Sequence, residues 1–538
     1  METCGVAVLR RSPMQTLVEM LRCSAERTPA APCLILRTET DRQCWTYRDL
    51  WETAQRVAAH LRAEGIERGD RVVLWGENRP EWVAAFYGCL LAGVIVVPFD
   101  VRAHEGFLRR IEEQTQPRLL FAGRSQIATA GPGHPPAQPL EDLRALVQSR
   151  VPVSLPPPAP DDIVELLYTS GTTGDPKGVI LRHRNIIANL RSIDQVVAVQ
   201  PTWRLLSILP LSHVFEQTVG LNMVLRAGAS VVYVETLQPR LLFQAMAEEQ
   251  ITAMACVPQV LQLFLRGIEQ EVRRQGKERA WRLLHTLAPF LPFSLRRLLF
   301  RQVHRRLGGR FEFFACGGAY LDPALAQRWE NMGIKVVQGY GMTEAAPIVS
   351  LNSLAERNLR SVGRVAPGVE VRIAPDGEIL VRGENVFSGY WQNEAATAAA
   401  FTPDGWYRTG DLGELDRAGW LYFRGRKKNL IVLPNGLNVY PEDVENALTQ
   451  TGLVLDAVVC GLDRPDGGVE IHAVLLMEDP AQASAAVRAA NRLLSPHQAI
   501  RSYSVWPEKD FPRTHTLKVK RAEVLAWLRA QRAGVPTA

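Results

Sequence analysis

The chain has 538 residues, too many for one ordinary domain, and its 46% hydrophobic and 22% charged residues are typical of a soluble globular protein. The net charge of +6, from 62 basic and 56 acidic residues, is modest for this length and gives no argument for nucleic-acid binding. The eight cysteines include no Cys-x2-Cys pair, which argues against a zinc site and favours reduced thiols in a cytoplasmic protein.

Neither the N-terminus nor the most apolar segment predicts insertion into a membrane. The N-terminus has no apolar run after its first basic residues, so we expect no signal peptide. Residues 83–99 contain no charge over 17 positions, but they are short for a membrane span, and two glycines and a proline interrupt them. A buried helix that ends near Leu91, followed by a buried strand at 94–97, is the better interpretation.

Helix and strand patterns alternate through most of the chain. Residues 46–67 have a helical pattern with Thr46 as its N-cap, and residues 71–75 form a short apolar strand. Further helices are predicted at 81–91 and 107–114, with strands at 94–97, 119–121, 205–209, 231–234, 254–257, 311–315 and 335–337. Such alternation predicts parallel sheets covered by helices.

The pattern changes twice toward the C-terminus. Residues 363–423 consist of short β segments separated by turns, which predicts a small barrel or sheet. A compact α/β pattern of about a hundred residues follows from Gly425. We therefore predict an α/β protein with two domains. Residues 1–424 would form a large N-terminal domain of parallel-type sheets flanked by helices, with a small β-rich subdomain, and residues 425–538 a small C-terminal α/β domain.

Residues 168–178 form a segment rich in glycine and hydroxyl groups that follows an apolar run. Small residues let the backbone turn several N–H groups inward, and Lys177 adds a mobile positive charge, so the segment suits a polyphosphate. Pro176 stands where a Walker A loop has its second glycine, which excludes that motif. A flexible surface turn is the alternative that composition alone leaves open. The candidate phosphate-binding positions are Thr169, Ser170, Gly171, Thr172, Thr173, Gly174 and Lys177.

Six further motifs follow this loop in a fixed order. They are Gly317-Gly318-Ala319, Gln338-Gly339-Tyr340-Gly341-Met342-Thr343-Glu344, Trp406-Tyr407-Arg408-Thr409-Gly410-Asp411, Gly425-Arg426-Lys427-Lys428, the segment from Asn435 to Glu445, and the segment from Pro512 to Arg521. Together the seven motifs resemble those of the AMP-forming adenylating enzymes, the superfamily of acyl-CoA synthetases, nonribosomal-peptide adenylation domains and firefly-type luciferases. The resemblance spans nearly the whole chain, from residue 45 to residue 520.

The resemblance implies that a carboxylate is joined to the α-phosphate of ATP, that pyrophosphate leaves, and that the acyl group then passes to the thiol of coenzyme A. Two anions must meet, so cations and oriented donors are required. Lys518 matches the catalytic lysine that would bridge the carboxylate and the α-phosphate. Without the surrounding motif it would be interpreted as a surface lysine in a basic tail, and Leu517 stands where the family usually has glycine.

The same resemblance assigns the nucleotide and metal contacts. Glu344 is the candidate Mg²⁺ ligand, since this cation binds through a carboxylate together with phosphate oxygens, and Thr343 would donate to phosphate. Asp411 would accept both ribose hydroxyls, although taken singly it reads as a turn former, and Arg426 would add a second ribose contact. The other implied nucleotide positions are Gly317, Gly318 and Ala319, where the base approaches the backbone, Tyr340 as a flat face for adenine, and Gln338, Gly339 and Gly341.

A hinge is implied at Lys428, which makes the C-terminal domain mobile. Rotation there would remove Lys518 and bring in the loop of Asn435 and Gly436 for the second half-reaction. Gly436 would line the approach of the pantetheine arm of coenzyme A, an ordinary turn being the alternative. Asn429 replaces the acidic residue often found beside the hinge.

His213 resembles the residue that gates the carboxylate pocket, although a lone histidine is usually a core or surface residue. The apolar residues Val214, Phe215, Val219, Leu221 and Leu225 could line an acyl tunnel or simply pack. Together with residues 266–310, the spacing of the motifs resembles long-chain fatty acyl-CoA synthetases most. A fatty acid is therefore the predicted substrate.

Residues 266–310 contain 12 Lys and Arg against three Glu, interleaved with bulky apolar residues. This composition suits a surface helix on anionic lipid, which predicts peripheral contact with the inner face of a membrane. The alternative is a pair of amphipathic helices packed on the domain with solvated arginines.

Two other functions compete with the fatty acid–CoA ligase. A fatty-acyl-AMP ligase that loads a carrier protein typically has an insertion near the hinge, and none is evident between Trp420 and Tyr440. A non-catalytic protein that binds nucleotide or fatty acid is the second alternative. The intact set of Lys177, Glu344, Asp411, Arg426 and Lys518 argues against it.

Overall fold

The computed structural model describes residues 14–103, 105–169, 176–236, 238–433, 437–464, 468–514 and 518–532. The predicted site positions Ser170, Gly171, Thr172, Thr173, Gly174 and Gly436, the departure at Leu517 and the side chain of Thr169 lie outside the described residues.

The described part of the chain forms 24 β-strands. They are β1 (Pro32–Arg37), β2 (Arg42–Thr46), β3 (Arg71–Trp75), β4 (Ile95–Phe99), β5 (Leu119–Ala122), β6 (Ala137–Pro139), β7 (Ile163–Thr169), β8 (Lys177–Arg182), β9 (Arg204–Ser207), β10 (Ser230–Val234), β11 (Ala253–Cys256), β12 (Phe313–Cys316), β13 (Lys335–Gly341), β14 (Ile348–Leu351), β15 (Arg364–Val365), β16 (Val369–Ile373), β17 (Glu378–Gly383), β18 (Tyr407–Leu415), β19 (Leu421–Arg426), β20 (Ile431–Val432), β21 (Asn438–Val439), β22 (Asp456–Asp463), β23 (Val469–Leu476) and β24 (Ser502–Val505).

The α-helices connect these strands. They are α1 (Leu17–Arg27), α2 (Tyr47–Ala63), α3 (Pro80–Ala92), α4 (Glu105–Thr115), α5 (Arg124–Thr129), α6 (Leu143–Val147), α7 (His183–Val196), α8 (Met223–Ala227), α9 (Pro239–Glu248), α10 (Pro258–Arg274), α11 (Glu278–Leu287), α12 (Phe293–Leu299), α13 (Arg301–Arg306), α14 (Pro323–Asn331), α15 (Glu394–Ala400), α16 (Pro441–Gln450), α17 (Ala483–Asn491) and α18 (Arg521–Arg532). A π-helical turn, Glu216–Asn222, directly precedes α8.

Two large mixed sheets form the N-terminal part, which confirms the predicted α/β class. One has the strand order β15-β14-β13-β12-β11-β9-β10-β1-β2, and the other has the order β6-β5-β3-β4-β7-β8. Their central strands pair in parallel, and the antiparallel pairs lie toward the edges. The β-rich segment is a four-stranded antiparallel sheet, β16 to β19, and not a barrel.

The predicted N-terminal elements agree with the structure apart from their ends. Thr46 caps α2 with a reciprocal capping box formed with Asp49, but the helix ends at Ala63, four residues before the predicted end. The apolar segment after residue 80 is the buried helix α3, which Gly93 ends in a left-handed conformation, followed by the buried strand β4. In the described part of the chain, no helix combines the length and apolar character that a membrane span needs.

Separate hydrophobic clusters organise the molecule. One cluster packs α7, α8 and the N-terminal helices against one face of the nine-stranded sheet, and a second packs α9, α10, α13 and α14 against the opposite face. Beyond residue 430, β20 to β24 and the helices α16 to α18 enclose further clusters of their own. An independent C-terminal domain would need a hydrophobic core of its own, and these clusters are consistent with one. The boundary at residues 424–425 stays a prediction.

Candidate active site

The strands β12 and β13 bring two of the motifs together. They are parallel neighbours, with Cys316 opposite Gln338, and each motif continues at or beyond the carboxyl end of its strand. Because the carboxyl ends of parallel strands meet at one edge of a sheet, Gly317-Gly318-Ala319 and Thr343-Glu344 lie at the same edge. This edge is where ligands usually bind in open α/β sheets.

Different physical constraints favour glycine at the three positions Gly317, Gly318 and Gly341. Gly318 has a φ of +80°, in the left-handed region that favours glycine. A Cβ at Gly317 would lie 3.2 Å from Cζ of Phe215, so a side chain there would press on that ring. A Cβ at Gly341 would lie 1.9 Å from the carbonyl oxygen of Pro347. Gly341 is therefore required by the close approach of the following backbone, a reason that its position in a motif does not reveal.

Asp411 is held by two side chains where β18 pairs with the last residue of β19. The pairing of these strands places it opposite Arg426, whose Nε lies 3.3 Å from Asp411 Oδ1. The hydroxyl of Tyr340 donates a hydrogen bond of 2.8 Å to Asp411 Oδ2. Burial raises the pKa of Asp411, and the positive charge of Arg426 opposes that rise. The arrangement fixes a carboxylate with its oxygens oriented beside a cation.

Lys518 and Lys428 belong to the same cluster of charges. Each of these ammonium groups lowers the pKa of Asp411 against the effect of burial. Burial and the charge of Arg426 in turn lower the pKa of Lys518 to about 8, while Asp411 opposes that change. The structure therefore brings together Asp411, Arg426, Lys428 and Lys518, which the sequence distributes over more than a hundred positions. It shows the arrangement in which Lys518 faces the N-terminal part.

Glu344 and Lys177 meet through Tyr390, which lies in none of the seven motifs. The Tyr390 hydroxyl donates a hydrogen bond of 3.1 Å to Glu344 Oε1, and Lys177 Nζ lies 5.3 Å from the centroid of the Tyr390 ring. Burial raises the pKa of Glu344, and the hydrogen bond from Tyr390 opposes that rise. No periodicity or spacing marks Tyr390, so sequence reasoning did not single it out.

A metal ion at this edge would need oxygen ligands besides those of the protein. Among the residues with described positions, no group of three or more His, Cys, Asp or Glu could hold a metal ion. An all-protein cage is therefore not formed by that part of the chain. Mg²⁺ is usually held by one or two carboxylates together with phosphate oxygens, and Glu344 at the carboxyl edge is suited to supply such a carboxylate.

His213 lies on a loop that several buried polar groups hold in place. Its Nε2 is 3.4 Å from Asp100 Oδ2. Gln217 Nε2 donates hydrogen bonds of 2.9 Å both to the Leu211 carbonyl and to Glu165 Oε2. Burial raises the pKa of the Glu165 carboxyl to about 8. Glu165 was not singled out because it lies within an apolar run, yet a carboxyl in such a run is itself a usable signal.

An apolar cavity lies beside this loop. Its lining residues are Ile193, Val197, Val199, Trp203, Leu205, Phe215, Val219, Met223, Val224, Phe313, Ala315, Cys316, Val337, Gly339, Ile348 and Leu351. Two of the residues that could line a tunnel or simply pack, Phe215 and Val219, line the cavity. The other three, Val214, Leu221 and Leu225, are buried in the core.

The cavity follows the strands from the site toward the opposite edge of the sheet. Cys316 and Gly339 lie near the carboxyl edge, whereas Phe313 begins β12 and is level with the start of β13. The span from Phe313 to Cys316 corresponds to roughly 10 Å. At the far end the ring of Trp203 packs on Phe313, with 5.0 Å between centroids. One end of the cavity lining therefore lies near the site, and two aromatic rings line the opposite end.

Comparison with known proteins places this geometry in a family. The profile of the AMP-binding enzymes matches residues 21–391, and that of the AMP-binding enzyme C-terminal domain matches residues 428–531. The long-chain-fatty-acid–CoA ligase FadD15 of Mycobacterium bovis is 30% identical over 550 residues, covering 89% of this chain and 90% of the relative. The sulfoacetate–CoA ligase of Cupriavidus necator is 30% identical over 536 residues, covering 95% and 97%.

Solved structures of adenylate-forming enzymes share the fold of this protein. The structure of O-succinylbenzoate coenzyme A synthetase from Bacillus subtilis in complex with ATP and a magnesium ion has a TM-score of 0.75 to this protein, with 24% sequence identity. The similarity covers 94% of this chain and 99% of that chain and shows the same fold. From the family match and these relatives, the chain belongs to the AMP-binding enzymes, as an AMP-forming acid–CoA ligase that uses ATP, Mg²⁺ and coenzyme A.

Proposed function

We propose that this enzyme activates a long-chain fatty acid and transfers its acyl group to coenzyme A. The observation that carries the proposal is the apolar cavity, whose lining includes no charged side chain. A sulfonate or an ammonium group placed there would lose its hydration without gaining a partner, which is costly. A hydrocarbon chain instead gains free energy from leaving water. The cavity thus favours a fatty acid over the small or charged acids that some relatives use.

Several side chains have defined parts in the first half-reaction. His213, on the loop beside the cavity, gates the carboxylate, and the protonated Lys518 lies between the carboxylate and the α-phosphate as negative charge develops. Lys177 and Thr343 contact the phosphates. Mg²⁺, when bound through Glu344, neutralises phosphate charge. The carboxylate oxygen forms the new bond to the α-phosphorus, pyrophosphate leaves, and the acyl adenylate remains.

The nucleoside is held where Asp411 of β18 pairs with Arg426 at the end of β19. Asp411 accepts the ribose hydroxyls, with its second oxygen fixed by Tyr340 and its charge balanced by Arg426. The Gly317-Gly318-Ala319 segment and the backbone of Gln338 and Gly339 border the base. Tyr340 contributes more through its hydroxyl than through a stacking face, because the ring is buried and lies 6.0 Å from Phe423.

The second half-reaction needs a rotation at the hinge. Residues 425–538 turn about Lys428, Lys518 leaves, and the thiol of coenzyme A approaches along Gly436 and attacks the acyl carbon, releasing AMP. Asn429 contacts Glu442 by a side-chain hydrogen bond across the start of the C-terminal part. The Asn429–Glu442 contact is one of those that the rotation would change.

The decisive experiment measures AMP and pyrophosphate release with ATP, Mg²⁺ and coenzyme A over a panel of acids from acetate to oleate. We expect coenzyme A-dependent turnover that is highest with a long-chain acid. Pyrophosphate release without thioester product would favour a ligase that loads a carrier protein. If no acid of the panel is turned over but the protein still binds nucleotide, a non-catalytic binding protein is favoured.

Trp203→Ala should lengthen the accepted chain, because it removes one of the two aromatic rings that line the end of the cavity far from the site. Since each methylene accommodated in a pocket changes kcat/KM about tenfold or more, we expect the ratio of kcat/KM for arachidate to that for laurate to rise at least tenfold. Trp203→Phe, which keeps a ring on Phe313, is the matched control. An unchanged ratio in Trp203→Ala would show that the acyl chain does not reach this end.

Tyr340→Phe should weaken ATP binding, because it removes the hydroxyl that donates to Asp411. A hydrogen bond to a charged group contributes about 1.5 kcal/mol, so we expect KM for ATP to rise about tenfold with kcat nearly unchanged. Tyr422→Phe is the control, since it removes a tyrosine hydroxyl that donates to Asp416, 3.2 Å away, elsewhere in the same sheet. Equal effects of the two changes on KM would contradict the assigned role.

The proposal includes where in the cell the enzyme meets its substrate. Fatty acids partition into membranes, so an enzyme of the cytoplasm that activates them would meet its substrate at a membrane surface. The seven described cysteines are free thiols, in keeping with a reducing compartment.

A further inference from the structure

Residues 266–310, here called the basic face, concentrate the exposed apolar side chains of the molecule. Of the 16 large hydrophobic side chains that are exposed in the described part of the chain, six lie between residues 283 and 299. They are Leu283, Leu287, Phe290, Leu295, Leu298 and Leu299, and Phe290 is 85% exposed. Such clustering on a folded surface marks an interaction site.

The spacing of these residues places them on defined faces of the helices. Leu283, Leu287 and Phe290 follow one another at i, i+4 and i+7 along α11 and the short 3₁₀ turn that continues it. The inner side of α11 is fixed, because Trp281 packs on the buried Phe300 with 5.5 Å between ring centroids. The interpretation as amphipathic helices packed on the domain therefore agrees with the structure, and these helices also present apolar side chains to solvent.

The charges around these apolar side chains are mainly positive, although Glu278 at the start of α11 is also exposed. The exposed basic residues are Arg273, Arg274, Lys277, Arg279, Arg282, Arg301, Arg305, Arg306 and Arg310. Two of the three acids in the segment are already paired, Glu269 with Arg328 and Glu271 with Arg274. By contrast, Arg279, Arg282, Arg301 and Arg305 make no ion pair within the described residues. The face thus retains an excess of exposed guanidinium groups beside its leucines.

We propose that the basic face docks on anionic phospholipid, with Phe290 and the leucines inserted at the boundary of the head groups and acyl chains. Cations on an amphipathic surface bind the phosphates of such lipids while the apolar side chains enter the interface. A second copy of this chain is disfavoured as the occupant, because its identical face would set cation against cation. Binding to lipid can occur without catalysis. Only the biological purpose of this binding, access to a fatty acid substrate, rests on the proposed function.

Vesicle flotation of the full-length protein, without ATP, coenzyme A or acid, tests the docking directly. We expect binding to vesicles of phosphatidylcholine with phosphatidylglycerol at low salt, and at least about tenfold weaker binding at roughly 0.5 M salt, where charges are screened within a few ångströms. Vesicles of phosphatidylcholine alone should bind at least about tenfold less protein. Failure to bind anionic vesicles at low salt overturns the proposal.

Two sets of variants separate this face from the rest of the surface. Leu287→Ser with Phe290→Ser, and Arg279→Glu with Arg282→Glu, should each reduce binding to the anionic vesicles at least about tenfold. The matched control is Arg492→Glu with Leu493→Ser, an exposed cation and an exposed leucine in the C-terminal part. Undiminished binding by both test variants would overturn the proposal.

Two further measurements keep this result distinct from misfolding and from the choice of substrate. Thermal unfolding and turnover of a short, dissolved acid without vesicles should match those of the parent protein in every variant, because none of these residues touches the site. If light scattering instead shows an oligomer that the test variants dissociate, the face joins copies of the chain and the lipid proposal is wrong.

Discussion

Lys518→Ala should abolish adenylate formation while leaving thioester formation from supplied acyl adenylate nearly intact. The structure holds Lys518 close to Asp411 and Arg426. The ammonium group lowers the pKa of Asp411, and the charges of Asp411 and Arg426 in turn act on the pKa of Lys518. In this arrangement the ammonium can face the developing charge of the first half-reaction. Removal of one preorganised donor of this kind lowers a rate by about 100- to 1000-fold. Pyrophosphate release and thioester production, measured separately, give the two rates.

The matched control for this variant is Lys520→Ala. Lys520 lies two positions further along the same tail, is exposed, and pairs with Glu523 at 2.9 Å. Its removal changes the charge of the tail equally but should leave both half-reactions unchanged. If Lys518→Ala lowers the rates of both half-reactions equally, the proposal that each arrangement of the C-terminal domain serves one half-reaction is contradicted.

The pH dependence of the first half-reaction gives an independent test of Lys518. Burial and Arg426 lower its pKa to about 8, and the protonated form is the one that can stabilise negative charge. As pH rises through about 8 the ammonium loses its proton, so kcat/KM for ATP in adenylate formation should fall. In Lys518→Arg the guanidinium stays charged, and any remaining activity should not fall in this range. The same decline in both proteins would assign it to another group.

Glu344→Gln should cause the second large loss, through the dependence on Mg²⁺. The variant keeps the size of the side chain and can still accept the hydrogen bond from Tyr390, but it removes the charge that a hard cation requires. We expect adenylate formation at low Mg²⁺ to fall about 100-fold and to recover in part as Mg²⁺ is raised. Titration of pyrophosphate release with Mg²⁺ measures both effects.

A neighbouring exposed carboxylate provides the control for this change. Glu384→Gln also removes one negative charge, from a residue exposed to solvent in the loop after β17. It should leave the Mg²⁺ titration unchanged. A Glu344→Gln protein with the Mg²⁺ dependence of the parent would show that the ion is held elsewhere.

Each helix and strand that local patterns predicted individually is present in the structure, but most of their ends differ. The strand predicted at 205–209 ends at Ser207, where the chain leaves the sheet and Asn78 Nδ2 binds the Leu209 carbonyl at 2.6 Å. The strand predicted at 311–315 begins two residues later, because Phe311 is buried in the helix-covered core before pairing starts. Ends depend on contacts with distant residues, which periodicity does not contain.

The sequence by itself determined the α/β class, the order of the motifs and the residue types that the chemistry needs, because these depend on local periodicity and composition. Only the tertiary structure decided which side chains meet. It placed the Tyr340 hydroxyl on Asp411, linked Glu344 to Lys177 through Tyr390, and formed an apolar cavity that Trp203 lines. These contacts arise from the order of strands in the sheets and the packing of helices on them, which join residues far apart in the chain.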